Sequence, residues 1–120
     1  MVFDGELIIP TPAWVSYAPQ ARIVGRKVRQ LHTDAKSGWR LTPEQIHRHC
    51  SHETDRPRIM ILNYPSNPTG QTYSPAELEA LADMARRYDI VLLSDEIYGE
   101  LHHEGLHQSV ARFYPEGTII

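Results

Sequence analysis

Two uninterrupted apolar runs, Ile59-Met60-Ile61-Leu62 and Ile90-Val91-Leu92-Leu93, bracket a stretch whose apolar residues recur at helical spacing. A run without polar alternation predicts a strand covered on both faces, as in parallel sheets. Between the runs Leu78, Leu81, Ala82 and Ala85 fall at i, i+3, i+4 and i+7, and Glu79, Asp83, Arg86 and Arg87 take the other face. Ser74-Pro75-Ala76-Glu77 opens this stretch with a capping serine, a first-turn proline and a glutamate three residues after the serine. Strand, helix and buried strand predict a right-handed β-α-β unit, and hence a parallel sheet.

The remaining segments extend that unit. Leu7-Ile8-Ile9 predicts a strand running into the rigid turn Pro10-Thr11-Pro12. Ala13 to Val24 predicts a helix from Val15, Ala18 and Ala21, opposed by Pro19 and stopped by Gly25. Val28 to Leu31 alternates with arginine and glutamine, the pattern of a less buried strand. Asp34 to Gly38 is a turn, and Thr42-Pro43-Glu44-Gln45 starts a second capped helix that ends near Ser51. Ser109 to Phe113 predicts a helical turn before a final strand at Thr118-Ile119-Ile120. The expectation is an α/β fold, a mostly parallel sheet with flanking helices, in which all the strands' carboxyl ends share one edge.

Composition narrows the class. The 120 residues suit one domain, with no linker or repeat that marks a second. A net charge of −3 carries no nucleic-acid or membrane footprint. The lone cysteine, Cys50, cannot form an internal disulfide, and no run reaches membrane-spanning length. A cytoplasmic protein is the expectation.

The most irregular stretch is Asn63-Tyr64-Pro65-Ser66-Asn67-Pro68-Thr69-Gly70, which joins a predicted strand end to a predicted helix start. Its prolines and glycine forbid regular structure, and that junction is where open α/β sheets bind ligands. Asn67, restricted by Pro68, carries a two-headed polar side chain on this stiff loop. Three further residues converge on the same predicted edge. Trp14 follows the first strand; its ring suits either stacking on a ligand ring or core packing. Asp95 ends the Ile90–Leu93 run, where a carboxylate needs a partner; a protonated ring nitrogen or a following helix terminus would each serve. Tyr98, three residues on, shares its face if the chain turns helically.

Histidines offer a rival chemistry. His47, His49 and His52 surround Cys50, and His103-Glu104-Gly105-Leu106-His107 has the H-E-x-x-H order of metalloproteases. Gly105 weakens a helix there, no long amphipathic helix carries the motif, and no third ligand is specified, so no metal site is expected. Phosphate-cradling glycine loops and the G-x-S-x-G motif are absent from the sequence.

Taken together, Pro10-Thr11-Pro12-Ala13-Trp14-Val15-Ser16-Tyr17, then Asn63 to Gly70, then Ser94-Asp95-Glu96-Ile97-Tyr98 resemble the class I/II aminotransferases, pyridoxal-phosphate enzymes of fold type I. The resemblance implies pyridoxal 5'-phosphate as cofactor, an amino acid and a 2-keto acid as substrates, and a homodimeric parent enzyme. It implies that Trp14 stacks on the pyridine ring, that Asn67 and Tyr98 contact its phenolic oxygen, and that Asp95 pairs with its nitrogen. An anion beside that nitrogen favours the protonated, electron-accepting ring. It also implies a cis peptide at Asn67-Pro68.

The departures are as informative. The family's cofactor-bearing lysine sits in a serine-lysine motif after a further strand; here Lys27 and Lys36 are the only lysines, and neither lies in such a motif. A phosphate-binding Gly/Ser loop upstream and a carboxylate-binding arginine downstream are also missing. Residues 1–120 therefore read as the central part of the large cofactor domain, inactive alone, with no catalytic residue among the four candidates. Both ends read as cuts through a fold. A C–S lyase or synthase of the same fold would carry identical cofactor residues. So would the aminotransferase-like effector domain of a transcription regulator, and a truncated remnant could serve as an interaction module.

Overall fold

A computed structural model describes residues 4–52, 57–101, 103 and 105–120. Among these residues five strands form one sheet: β1 Glu6–Thr11, β2 Lys27–His32, β3 Arg58–Asn63, β4 Ile90–Asp95 and β5 Thr118–Ile119. Among the described residues three α-helices connect the first four strands: α1 Tyr17–Ile23, α2 Pro43–Cys50 and α3 Pro75–Arg87. The strand order is β2-β1-β3-β4-β5 and every pairing is parallel. The α/β expectation therefore holds, with each predicted strand present.

Local chemistry explains the helix ends. Thr42 and Gln45 form a reciprocal capping box at α2, and Ser74 and Glu77 form another at α3. Each satisfies two backbone donors that a helix start leaves unpaired. Helix α1 begins at Tyr17, four residues later than the sequence pattern suggests. Pro19 then falls in the first turn, where its missing N–H costs no intrahelical bond. Gly25, at φ +73°, ends α1; the Arg26 N–H donates to the Ala21 carbonyl at 2.8 Å. The residue in that left-handed position favours glycine because a Cβ would crowd the backbone.

The sheet has unequal faces. One carries the main core: Ile8, Met60, Leu62, Ile90 and Leu92 from the strands meet Ile46 and Cys50 of α2 and Leu78, Leu81, Ala82 and Ala85 of α3. Full burial of each large side chain contributes roughly 1.5–3 kcal/mol. The other carries a smaller cluster in which Tyr17 of α1 covers Ile9 and Ile61. Here the expectation of complete coverage fails in part. Leu93 on β4 and its register partner Ile119 remain 36% and 56% exposed, because α1 packs on β1 and β2. Strand β2 lies at one edge of the sheet, and its Arg29, Gln30 and Lys27 are exposed, as the polar alternation indicates.

The segment from Ser109 forms a short 3-10 turn, Val110–Arg112, with Ser109 Oγ accepting the Ala111 N–H. The Asn67-Pro68 peptide is cis, as are Thr11-Pro12 and Tyr64-Pro65. Among the described residues, no helix is long and apolar enough to cross a membrane.

Candidate functional site

The connections decide where a site can form. From β1 the chain moves outward to β2, then returns past β1 to β3 and continues to β4. Right-handed connections running in opposite directions put α1 on one face and α2 and α3 on the other, and the two core clusters divide in that way. The loops leaving β1 and β3 thus diverge to opposite faces. Such a switch point opens a crevice at the strands' carboxyl ends.

A cleft of about 340 Å³ lies there, lined by Trp14, Tyr17, Asn63, Asn67, Asp95, Ile97 and Tyr98. All four candidate residues from the sequence meet in it, carried by three different loops. Trp14 is 44% exposed and so does not serve as core. Its ring stands edge-to-face with Tyr17, centroids 5.4 Å apart, and lines the cleft.

Asp95 ends β4 and pairs in register with Asn63, the last residue of β3. The Tyr17 hydroxyl donates to Asp95 Oδ2, and the Ile97 N–H donates to Oδ1 at 3.3 Å. Asp95 does not cap a regular α-helix, since residues 96–98 form a turn that leads into a 3-10 segment at Gly99–Leu101. Burial, the hydrogen bond to Asp95 and its negative charge all push the Tyr17 phenol far above its ordinary range. Tyr17 is therefore a neutral donor at any physiological pH.

Asn63 ties the loops together. Its Nδ2 donates to the Asp95 carbonyl at 3.0 Å, while its Oδ1 accepts the Asn67 N–H at 2.8 Å. Tyr64 N–H also donates to the Asp95 carbonyl, at 3.3 Å. Among the described residues, the Asn67 carboxamide and the Tyr98 hydroxyl have no hydrogen-bond partner, and both line the cleft.

Tyr17 and Asn63 escaped the sequence-based selection. Tyr17 lies three residues after Trp14, the same spacing that links Tyr98 to Asp95, and that periodicity is the signal that could have found it. Asn63 could have been found as the polar residue closing a buried strand.

The other sequence features lie elsewhere. Lys27 opens β2 at the opposite, amino edge of the sheet, and Lys36 sits exposed in the turn after it. Neither lines the cleft. Of the H-E-x-x-H segment, Glu104 and the preceding His102 lie outside the described residues. Residues 105–109 are not helical, Gly105 has φ +75°, and His107 pairs with Glu96 at 2.8 Å. Among the described residues no group of three or more potential metal ligands occurs.

With this geometry in place, comparison with known proteins identifies the lineage. The family model for aminotransferase class I and II matches residues 3–117. An asparagine–oxo-acid transaminase of Streptococcus mutans is 42% identical over 95% of this chain. An aspartate/prephenate aminotransferase of Thermus thermophilus is 40% identical over 95%. The chain covers only 27% and 29% of those two proteins' lengths. The solved structure of Thermus thermophilus aspartate aminotransferase with maleate superposes with a TM-score of 0.86 at 39% identity, across 98% of this chain and 30% of that one. The sheet, the switch-point cleft and the sequence similarity along nearly the whole chain agree, and the chain belongs to the class I and II aminotransferases.

Proposed function

We propose that residues 1–120 are part of the large cofactor domain of an aminotransferase and form the wall of its pocket that holds the ring of pyridoxal 5'-phosphate. The observation that carries this reading is the convergence of Trp14, Asn67, Asp95 and Tyr98, from three loops, in one cleft. The donor set suits such a ring. Asp95 uses one acceptor site on each oxygen, and a carboxylate has about four, so it can still accept a protonated ring nitrogen. The Asn67 carboxamide and Tyr98 hydroxyl, which have no partner among the described residues, can both donate to a phenolate oxygen. Trp14 offers the stacking face.

Each side chain then has one task. Trp14 binds and orients the ring plane. Asp95, oriented by Tyr17 and Asn63, keeps the proton on the ring nitrogen by its negative charge. Asn67 and Tyr98 would donate hydrogen bonds to the ring's phenolic oxygen. When bound, pyridoxal phosphate supplies an electron sink for bond cleavage at the substrate's α-carbon. The parent reaction in this reading moves an amino group between an amino acid and a 2-keto acid, in a cytoplasmic homodimer. Neither lysine of this chain lines the cleft, so the chain by itself does not transaminate.

Titration of the chain with pyridoxal phosphate, followed by tryptophan fluorescence, tests the reading. Stacking on Trp14 quenches its emission, and Asp95→Ala weakens the response at least about tenfold. Absence of quenching in the unaltered chain overturns the proposed ring site. A borohydride-reducible adduct on Lys27 or Lys36 that turns over amino acids overturns the proposed inactivity.

A further inference from the structure

Immediately after Asp95 the chain places a second acidic residue that the cleft does not use. Asp95 faces the cleft; Glu96 points away from it, with its side chain 14% exposed. Both Glu96 oxygens are taken. Oε1 accepts the Ser94 hydroxyl at 2.7 Å and the Ser109 hydroxyl at 2.6 Å, and Oε2 lies 2.8 Å from His107 Nε2. Burial alone raises the carboxyl's pKa, but the hydrogen bonds from Ser109, Ser94 and His107, with the charge on His107, outweigh it and hold Glu96 below its usual range. It is a carboxylate.

The backbone links this group to the cleft. The Glu96 carbonyl accepts the Gly99 N–H at 2.8 Å and so closes the turn that carries Tyr98. Tyr64, fully buried in the loop that bears Asn67, lies beside the same cluster. Its hydroxyl accepts the Val110 N–H at 2.7 Å, and its ring lies 5.2 Å from the His107 ring. Glu96 therefore joins the exits of β3 and β4 to the segment 107–110.

A half-buried ionic hub is a poor choice for stability alone, because an apolar side chain of similar volume often serves as well or better. What an apolar side chain lacks is direction: three donors at fixed angles determine how the peptide after Asp95 is oriented. We propose that Glu96, held by Ser94, Ser109 and His107, is a positioning residue that aims Asp95 and Tyr98 into the cleft. His107 thus serves as a carboxylate clamp. The consequence for cofactor affinity rests on the ring-site reading above; the effect on Ile97 and Tyr98 does not.

The test compares Glu96→Ala, Glu96→Gln, Ser109→Ala and Leu81→Ala in the uncomplexed chain by amide NMR, and then with pyridoxal phosphate by Trp14 quenching in a Trp39→Phe background. Glu96→Ala shifts and broadens the Ile97 and Tyr98 amide resonances and weakens the quenching about tenfold. Glu96→Gln, whose oxygen still accepts from both serines, recovers most of each effect. Ser109→Ala moves the same resonances less and keeps the test open if Glu96→Ala does not fold. Leu81→Ala lowers stability through the core and leaves those resonances in place. Unmoved Ile97 and Tyr98 resonances in both Glu96→Ala and Ser109→Ala overturn the inference, as does an equal shift in Leu81→Ala. Moved resonances without any quenching in the Trp39→Phe parent support the inference and count against the ring site instead.

Discussion

The Tyr17 hydroxyl donates to Asp95 Oδ2 across 78 positions of sequence, joining the first helix to the end of the fourth strand. Tyr17 is also the α1 residue that covers Ile9 and Ile61. One side chain thus buries the smaller face of the sheet and orients the carboxylate at the switch-point cleft.

Tyr17→Phe separates these two tasks. The ring, and hence the packing, is retained, while a hydrogen bond to a charged acceptor is lost. Such bonds contribute about 1.5–3 kcal/mol, and partial exposure at Asp95 favours the lower end. Chemical denaturation should show a loss of about 1.5 kcal/mol, with an unchanged m-value because the exposed area on unfolding is the same.

The tyrosines should give the chain a marked alkaline instability. Four of the six, Tyr17, Tyr64, Tyr73 and Tyr114, are raised above the ordinary phenol value, each chiefly by burial. Tyr64 is pushed up to about 12. Their folded state keeps protons that the unfolded state has lost, so stability is full below about pH 10 and falls as pH rises above it. Absorbance near 295 nm followed through pH 10–12 should show these phenols titrating late, in step with unfolding.

Acid should act through Glu96. Burial opposes its charged form, but the bonds from Ser109, Ser94 and His107 prevail and depress its pKa. The stabilisation is present above the ordinary carboxylate value and is lost as pH falls through the depressed one. In Glu96→Gln the acid limb of stability against pH, measured by denaturant midpoints, should be shallower than in the unaltered chain.

Asn63→Ala removes one carboxamide that serves two loops. Asn67 N–H loses its acceptor, and the Asp95 carbonyl keeps only the weaker bond from Tyr64. A buried or half-buried group left unpaired costs about 1–3 kcal/mol. Thermal unfolding should register this loss, and amide exchange should accelerate at Asn67 first.

Gly117→Ala should be among the most damaging small changes. A Cβ at Gly117 would lie 2.0 Å from Tyr114 Cζ, and that ring is 8% exposed within the main core. Forcing the ring aside costs about 1–3 kcal/mol. Ser74→Ala is the milder reference: it removes the α3 cap and should cost about 1 kcal/mol by the same denaturation assay.

The elements were legible where local chemistry suffices. Apolar runs with no alternation announced β3 and β4, two capping boxes announced α2 and α3, and Gly25 marked the end of α1. The start of α1 departs from the sequence pattern because Val15 keeps the apolar period with Ala18, whereas Pro19 is tolerated only in a first turn. Coverage of the sheet is incomplete at Leu93, because an apolar run records what a strand can bury and not which helix reaches it.

By itself the sequence determined the strands, the capped helices, and the residue types able to hold a charged aromatic ring. It did so because hydrophobic period, caps and prolines act within a few residues along the chain. Only the tertiary structure decided that Trp14, Asn67, Asp95 and Tyr98 share one cleft, that Tyr17 and Asn63 orient Asp95, and that His107 serves Glu96. Those relations depend on the strand order β2-β1-β3-β4, which brings together residues separated by tens of positions. Nothing in the local chemistry of either partner specifies the other.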